Sequence, residues 1–187
     1  MPPKMKITKE NILDTAVELV RKGGDKALNA RTLATILGCS TQPIFSNYAT
    51  MEQLDHAVAL KAQELFEDYM VRELASGKYP AYKANGMAYI RFAKEERELF
   101  KLLFMCDRDG AAIPDNAELK SRMEALVQSN TGLDSQDATL FHMEMWVYVH
   151  GIATMFATCY LDLDWELVSR MLSDAYQGLR KQYEMEG

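Results

Sequence analysis

"ARTLATILGCSTQPIFSNY", Ala30 to Tyr48, consists of two short apolar-patterned halves joined at Gly38. Helices of this length are marginal in water, so each half needs a neighbour to pack on. Two short helices joined by a tight Gly-containing turn form a helix-turn-helix, whose second helix can enter a DNA major groove; a generic helical hairpin shares that geometry. Leu33, Ile36, Leu37, Ile44 and Phe45 are expected to pack together and against a preceding helix. Pro43 falls in the first turn of the second half, where its missing N–H costs nothing and its fixed φ suits a helix. Thr41, Gln42, Ser46 and Asn47 are left as short polar side chains facing out. Gln and Asn can bond adenine bidentately, and Ser or Thr can bond base or phosphate acceptors.

Working outward from this stretch, the period is helical almost throughout, and Gly and Pro mark the breaks. Thr8 is placed to cap a first helix to about Lys22, with Ile12, Leu13, Ala16, Val17 and Val20 inward and "KGGD" as its stop. Asn29 caps a second helix ended by Gly38, and Ser40 is expected to cap a third over Thr41–Tyr48. Thr50, with Gln53 three residues on, opens a long fourth helix reaching about Ala75. Further helices are predicted at about 80–94, 96–105, 115–129, 135–160 and 163–184, broken by "CDRDGAAIPD", "SNTGLDS" and "LDLD". The predicted fold is all-α, with an N-terminal three-helix bundle (1–55) joined by a long helix to a larger helical domain (56–187).

Charge divides the chain in the same place. The net charge is −6, yet residues 1–51 hold seven Lys/Arg against four acids and are +3, leaving −9 for the remainder. Such asymmetry describes a head that can approach phosphate and a body that need not. A hydrophobic fraction of 48% supports a sizeable core. Three widely spaced cysteines, Cys39, Cys106 and Cys159, make no disulfide framework and point to a reducing, cytoplasmic setting. "MPPKMKITKENIL" lacks the apolar run of a secretory signal. "MEMWVYVHGIATMFATCYL" is long and apolar, but Glu144, His150 and the flanking Asp137, Asp162 and Asp164 favour a buried or interface helix over a membrane span.

Catalysis has no footing. His56, His142 and His150 lack metal-ligand spacing, and no phosphate loop or nucleophile elbow occurs, so neither metal nor cofactor is expected. The charge runs "KEERE" and "DRD" read as solvated faces.

The run from Thr8 to Leu54, with "ILDTAVELVRKGG", "ARTLATILGCS" and "IFSNYATMEQL", resembles the N-terminal DNA-binding domain of the tetracycline-repressor (TetR) family. The resemblance implies an all-helical homodimeric regulator, probing double-stranded operator DNA and sensing a small molecule in its C-terminal domain. Carried onto this sequence, it places DNA contacts at Arg31, Thr32, Thr41, Gln42, Pro43, Phe45, Ser46 and Asn47, with Tyr48 either part of that set or core. Phe45 stands where a phosphate-donating Tyr is usual and Met51 where a Lys is usual, so anchoring would fall in part to Tyr48 or to other bases such as Lys4 or Lys6. Those departures motivate an alternative, a family-like adaptor or coactivator that binds a protein partner.

"WVYVHG", Trp146 to Gly151, similarly resembles the Trp-His-Gly pattern of one C-terminal domain class of that family. Trp146 and His150 are i, i+4 neighbours, either a core pair or part of a pocket. Twelve Met and the aromatic surplus suit a largely apolar ligand, with Phe92, Phe104, Met123, Met143, Trp146, Val147 and His150 as candidate lining. The last helix has a seam at Leu161, Trp165, Val168, Leu172, Ala175 and Leu179, of coiled-coil-like spacing. That seam packs either on its own chain or, with Ile152 and Phe156 of the preceding helix, in a four-helix dimer interface.

Overall fold

The computed structural model describes residues 7–106 and 117–186. Lys4, Lys6 and the "DRD" run at 107–109 lie outside the described residues. Among the described residues the chain forms nine α-helices and one turn of 3-10 helix, with no strand. They are α1 (Lys9–Gly23), α2 (Ala30–Ile36), α3 (Gln42–Asn47), α4 (Met51–Ala75), α5 (Ala81–Glu95), α6 (Arg97–Phe104), α7 (Ala117–Thr131), α8 (Ser135–Ala157) and α9 (Trp165–Glu186). No helix among the described residues is long and apolar enough to cross a membrane.

Local signals set most of these boundaries. Thr8 Oγ1 accepts from the Asn11 amide, and the Thr8 amide donates to Asn11 Oδ1 in return, a closed capping box. Asn29 accepts from the Thr32 amide at 2.9 Å. Gly38 adopts φ 63°, and the Cys39 and Gly38 amides return to Ala34 and Thr35 carbonyls, the paired bonds that end a helix through a left-handed residue. Thr50 accepts from the Gln53 amide, while the Gln53 side chain accepts from Ala49, one residue earlier than the reciprocal partner of a standard box.

Ser40 does not cap α3. The helix begins one residue later, after Thr41, and no side chain caps it. With Ser40 as cap, the amide three residues on would belong to Pro43, which has none to donate. Thr41 is already helical, and its carbonyl accepts from both Ile44 and Phe45.

The chain folds as two compact units. One comprises the residues up to Leu65 together with Glu96 onward through α6; the other comprises Phe66–Glu95 and α7 to α9. α6 joins the first unit because Leu99, Phe100 and Leu103 are buried and Arg21 of α1 donates to Glu96 at 2.7 Å. Arg21 also pairs with Glu18. The expected boundary near residue 55 falls inside α4, which runs unbroken.

In the first unit, Ile12, Ala16, Val17 and Val20 pack with Leu33, Ile44, Tyr48, Leu54 and Val58 as the core. Two of the five residues expected to join the α2 and α3 halves do not: Ile36 is 57% exposed and Phe45 46% exposed. The second unit centres on α5 against α8, with Phe92 packed on Phe66 and Tyr69 at 5.4 Å between ring centroids. A further cluster of Val127, Ala138, Phe141 and Met145 is closed by Tyr82, Leu133, Ala175, Tyr176, Leu179 and Tyr183.

That cluster decides the α9 seam. Val168 and Leu172 are buried, and Ala175 and Leu179 pack on the protomer's own core. Trp165 stacks on Phe156 at 5.9 Å, with the Arg91 guanidinium 4.4 Å from the Trp165 ring centre. Ile152 and Phe156 are likewise at most 5% exposed. None of Ile152, Phe156, Val168 and Leu172 can therefore face a second protomer, because each is already enclosed by its own.

Candidate nucleic-acid interface and sensing body

The head presents α3 by packing Ile44 and Tyr48 inward, which turns the remaining positions of this six-residue helix outward. Gln42 and Ser46 are exposed, Phe45 lies between them in sequence and is also exposed, and Thr41, Pro43 and Asn47 are half-buried. On α2, Arg31 and Thr35 are exposed and Thr32 is half-buried.

Two of the polar side chains are folded back. Ser46 donates to the Gln42 carbonyl at 2.9 Å and Asn47 to the Pro43 carbonyl at 2.8 Å, both four residues earlier. That bond engages one of the two Asn47 amide N–H groups and draws the side chain back along the helix. Gln42 is the more exposed of the two. Replacing Gln42 with Ala should therefore relax preference at particular operator positions at a cost of about 1–3 kcal/mol, with a smaller effect for Asn47→Ala. Binding measured across a panel of single-base operator variants separates base readout from the uniform weakening that a lost phosphate contact produces.

Tyr48 leaves the contact set. It is 3% exposed, its hydroxyl donates to the Lys9 carbonyl at 3.5 Å, and burial raises its pKa. Its ring instead carries Lys9, whose ammonium sits 5.0 Å from the ring centre. Lys9 is thereby held at the start of α1, beside the end of α3, and was not among the contacts read from sequence. Only the fold brings a residue 39 positions away onto that ring.

The pocket candidates divide between the two units. Phe104 belongs to the first unit, its ring tilted against Phe100 at 5.2 Å, whereas Phe92 and Met123 are core residues of the second. Met143, Trp146 and Val147 are 45%, 41% and 58% exposed on the outer face of α8, because α8 turns Phe141, Met145 and Val149 inward.

His150 is in a polar contact with α5. Its Nδ1 lies 2.8 Å from the Tyr89 hydroxyl, and its ring stacks on Trp146 at 5.0 Å. A second pair repeats this one along the same two helices: the Tyr82 hydroxyl lies 3.0 Å from His142 Nδ1. Tyr82 and Tyr89 are seven residues apart and His142 and His150 eight, so both pairs tie one face of α5 to one face of α8. The sequence carries that spacing, but the two helices are some sixty residues apart in the chain, and nothing local pairs them.

Burial lowers the pKa of both histidines from the usual 6.5; for His142, Glu124 opposes the shift and Lys120 adds to it. The folded chain therefore holds fewer protons than the unfolded one below about 6.5, and stability falls as pH drops through that window. Melting temperature should decline from about pH 7 to about pH 5, and the His142→Gln, His150→Gln double variant should show a flatter profile. An identical slope in the variant would assign the pH dependence to other groups.

With this geometry in view, residues 82–175, half of the chain, match the family model of the tetracyclin repressor-like C-terminal domain. The chain belongs to the TetR family. Two solved structures share the TetR fold along nearly their whole length. One is a TetR family member from Streptomyces coelicolor A3, 20% identical, covering 89% of this chain and 96% of that one, with TM-score 0.64. The other is a putative TetR family transcriptional regulator from Vibrio parahaemolyticus, 17% identical, covering 91% and 97%, with TM-score 0.57. No curated protein matches the chain. Membership assigns this TetR chain to transcriptional regulation and not to catalysis.

Proposed function

We propose that the chain is a cytoplasmic homodimeric repressor that binds a pseudo-palindromic operator and is released by a small molecule. The observation that carries this reading is the outward row of Gln42, Phe45 and Ser46 on a helix fixed from behind by Ile44 and Tyr48. Such a helix suits the major groove, with one copy per half-site one helical turn apart. A ligand that couples to DNA binding by about 1–3 kcal/mol would change affinity roughly 5–150-fold, enough for a switch.

Dimerisation is supported by a different face from the one expected. Leu140, Met143, Val147 and Met155 form an exposed apolar stripe along α8, spaced at helical intervals with Gly151 between. A Cβ placed on Gly151 would meet no atom within 4 Å among the described residues, so a second helix can approach closely there. An exposed apolar stripe of this kind marks an interaction surface.

Selection of bound fragments from random double-stranded DNA tests the reading. A recovered motif with two related half-sites is the expected result. The adaptor reading draws on the exposed apolar pair Ile36 and Phe45 and on the uncharged Met51, which suit a protein surface better than phosphate. Recovery of no sequence preference, with no shift of random DNA at low salt, would favour that second reading.

A further inference from the structure

The head has few charges with which to hold a DNA backbone. The side chains of Phe45 and Met51 offer neither charge nor hydrogen-bond donor. Five Lys and Arg precede Met51 among the described residues: Lys9, Arg21, Lys22, Lys26 and Arg31. Arg21 is taken by Glu18 and Glu96, and Lys22 stands 4.0 Å from Glu18. Lys26 lies just beyond the C-terminal end of α1, a helix about 22 Å long. Lys9 and Arg31 remain, both exposed and neither paired with a carboxylate among the described residues.

Lys9 differs from an ordinary surface lysine in being positioned. Its ammonium sits 5.0 Å from the centre of the Tyr48 ring, inside the reach of about 6 Å over which a ring face attracts a cation. The ring is itself fixed, because Tyr48 is 3% exposed and its hydroxyl donates to the Lys9 carbonyl at 3.5 Å. Tyr48 also closes α3, its amide donating to the Ile44 carbonyl at 2.9 Å. The charge is thereby tied to the end of the outward-facing helix. An ammonium carries three N–H donors, and a ring on one side leaves the others open. With α3 seated in a major groove about 12 Å wide, a charge at the end of a helix about 9 Å long stands at the groove wall, where the phosphates are.

We propose that Lys9 is a backbone-phosphate contact of the head, held at the end of α3 by the Tyr48 ring, and that it supplies anchoring which Phe45 and Met51 do not. The proposal rests on the DNA-binding reading above and adds a residue to it. Phosphates are alike in every sequence, so Lys9 contributes affinity and salt dependence without sequence preference. A side chain fixed in advance also loses less conformational freedom on binding.

The test measures binding of the full chain to the selected operator, and to a random duplex of equal length, over a range of KCl concentrations. Lys9→Gln should make the slope of log affinity against log salt shallower by about 0.9 for each head bound, on both duplexes, with operator preference unchanged. The same constant makes the loss about fivefold per head at about 0.15 M salt. Lys9→Arg should keep the wild-type slope. Lys26→Gln removes an equal charge at the other end of α1 and should change the slope far less. Partial unfolding lowers affinity without altering this slope, so the readout separates a lost contact from lost stability. An unchanged slope for Lys9→Gln, a loss confined to the operator, or an equal change for Lys26→Gln would overturn the assignment of Lys9 alone. A wild-type chain that shifts neither duplex at low salt would sink the DNA-binding reading, and Lys9 with it.

Discussion

Charging the outer face of α8 should split the dimer. Met143→Glu combined with Val147→Glu is expected to halve the mass seen in sedimentation while leaving helicity and melting of the protomer nearly unchanged. Both side chains are about half exposed in the protomer, so surface glutamates there cost little in folding, typically within ±0.5 kcal/mol. Across a two-fold interface the same four charges would face one another in a desolvated seam, where unpaired burial is strongly unfavourable. Loss of the second recognition helix then removes avidity, and operator affinity should fall by about 10²–10⁴. A double variant that remains dimeric would remove the α8 stripe from the interface.

Leu172→Ala should act on folding and not on assembly. Leu172 is 3% exposed, and its Cδ1 lies 3.4 Å from where a Cβ on Gly86 of α5 would stand, so it fills a close α5–α9 contact. Truncating a buried leucine and leaving its cavity costs about 2–5 kcal/mol, a large share of the stability of a small protein. Chemical denaturation should show that loss, with sedimentation below the transition still reporting the wild-type mass. Dissociation with unchanged stability would return the α9 seam to the dimer interface and contradict the packing described here.

These two variants probe the place where sequence and structure part. Leu172 and Val147 are both apolar residues at helical spacing on neighbouring helices, and periodicity alone puts either one at an interface. α8 is apolar on nearly every side, so its pattern contains no polar face to mark the outside. α9 has a single apolar stripe from Trp165 to Leu179, while Leu161, expected to begin it, lies ahead of the helix and is exposed, and the stripe does not say which surface it meets.

The head was far more legible, because its signals are local. Thr8 with Asn11, Asn29, Gly38 and Pro43 each act within four residues, through a cap bond, a left-handed φ or a missing amide. Ser40 failed as a cap for an equally local reason, the absent N–H of Pro43. The outward polar row of α3 follows from the inward pair Ile44 and Tyr48, whereas the exposure of Ile36 and Phe45 does not, since an apolar residue on a short helix normally signals core.

Sequence by itself therefore determined the all-helical class, the order and approximate ends of the helices, the helix-turn-helix and its leading polar residues. Each depends on chemistry within one or two turns of chain. Tertiary structure alone decided that α6 packs on α1, that Lys9 rests on Tyr48, and that α5 and α8 are joined by two tyrosine–histidine pairs. Those pairings span tens of residues, and a side chain's partner across that distance is set by which helix faces meet, a quantity no local pattern contains.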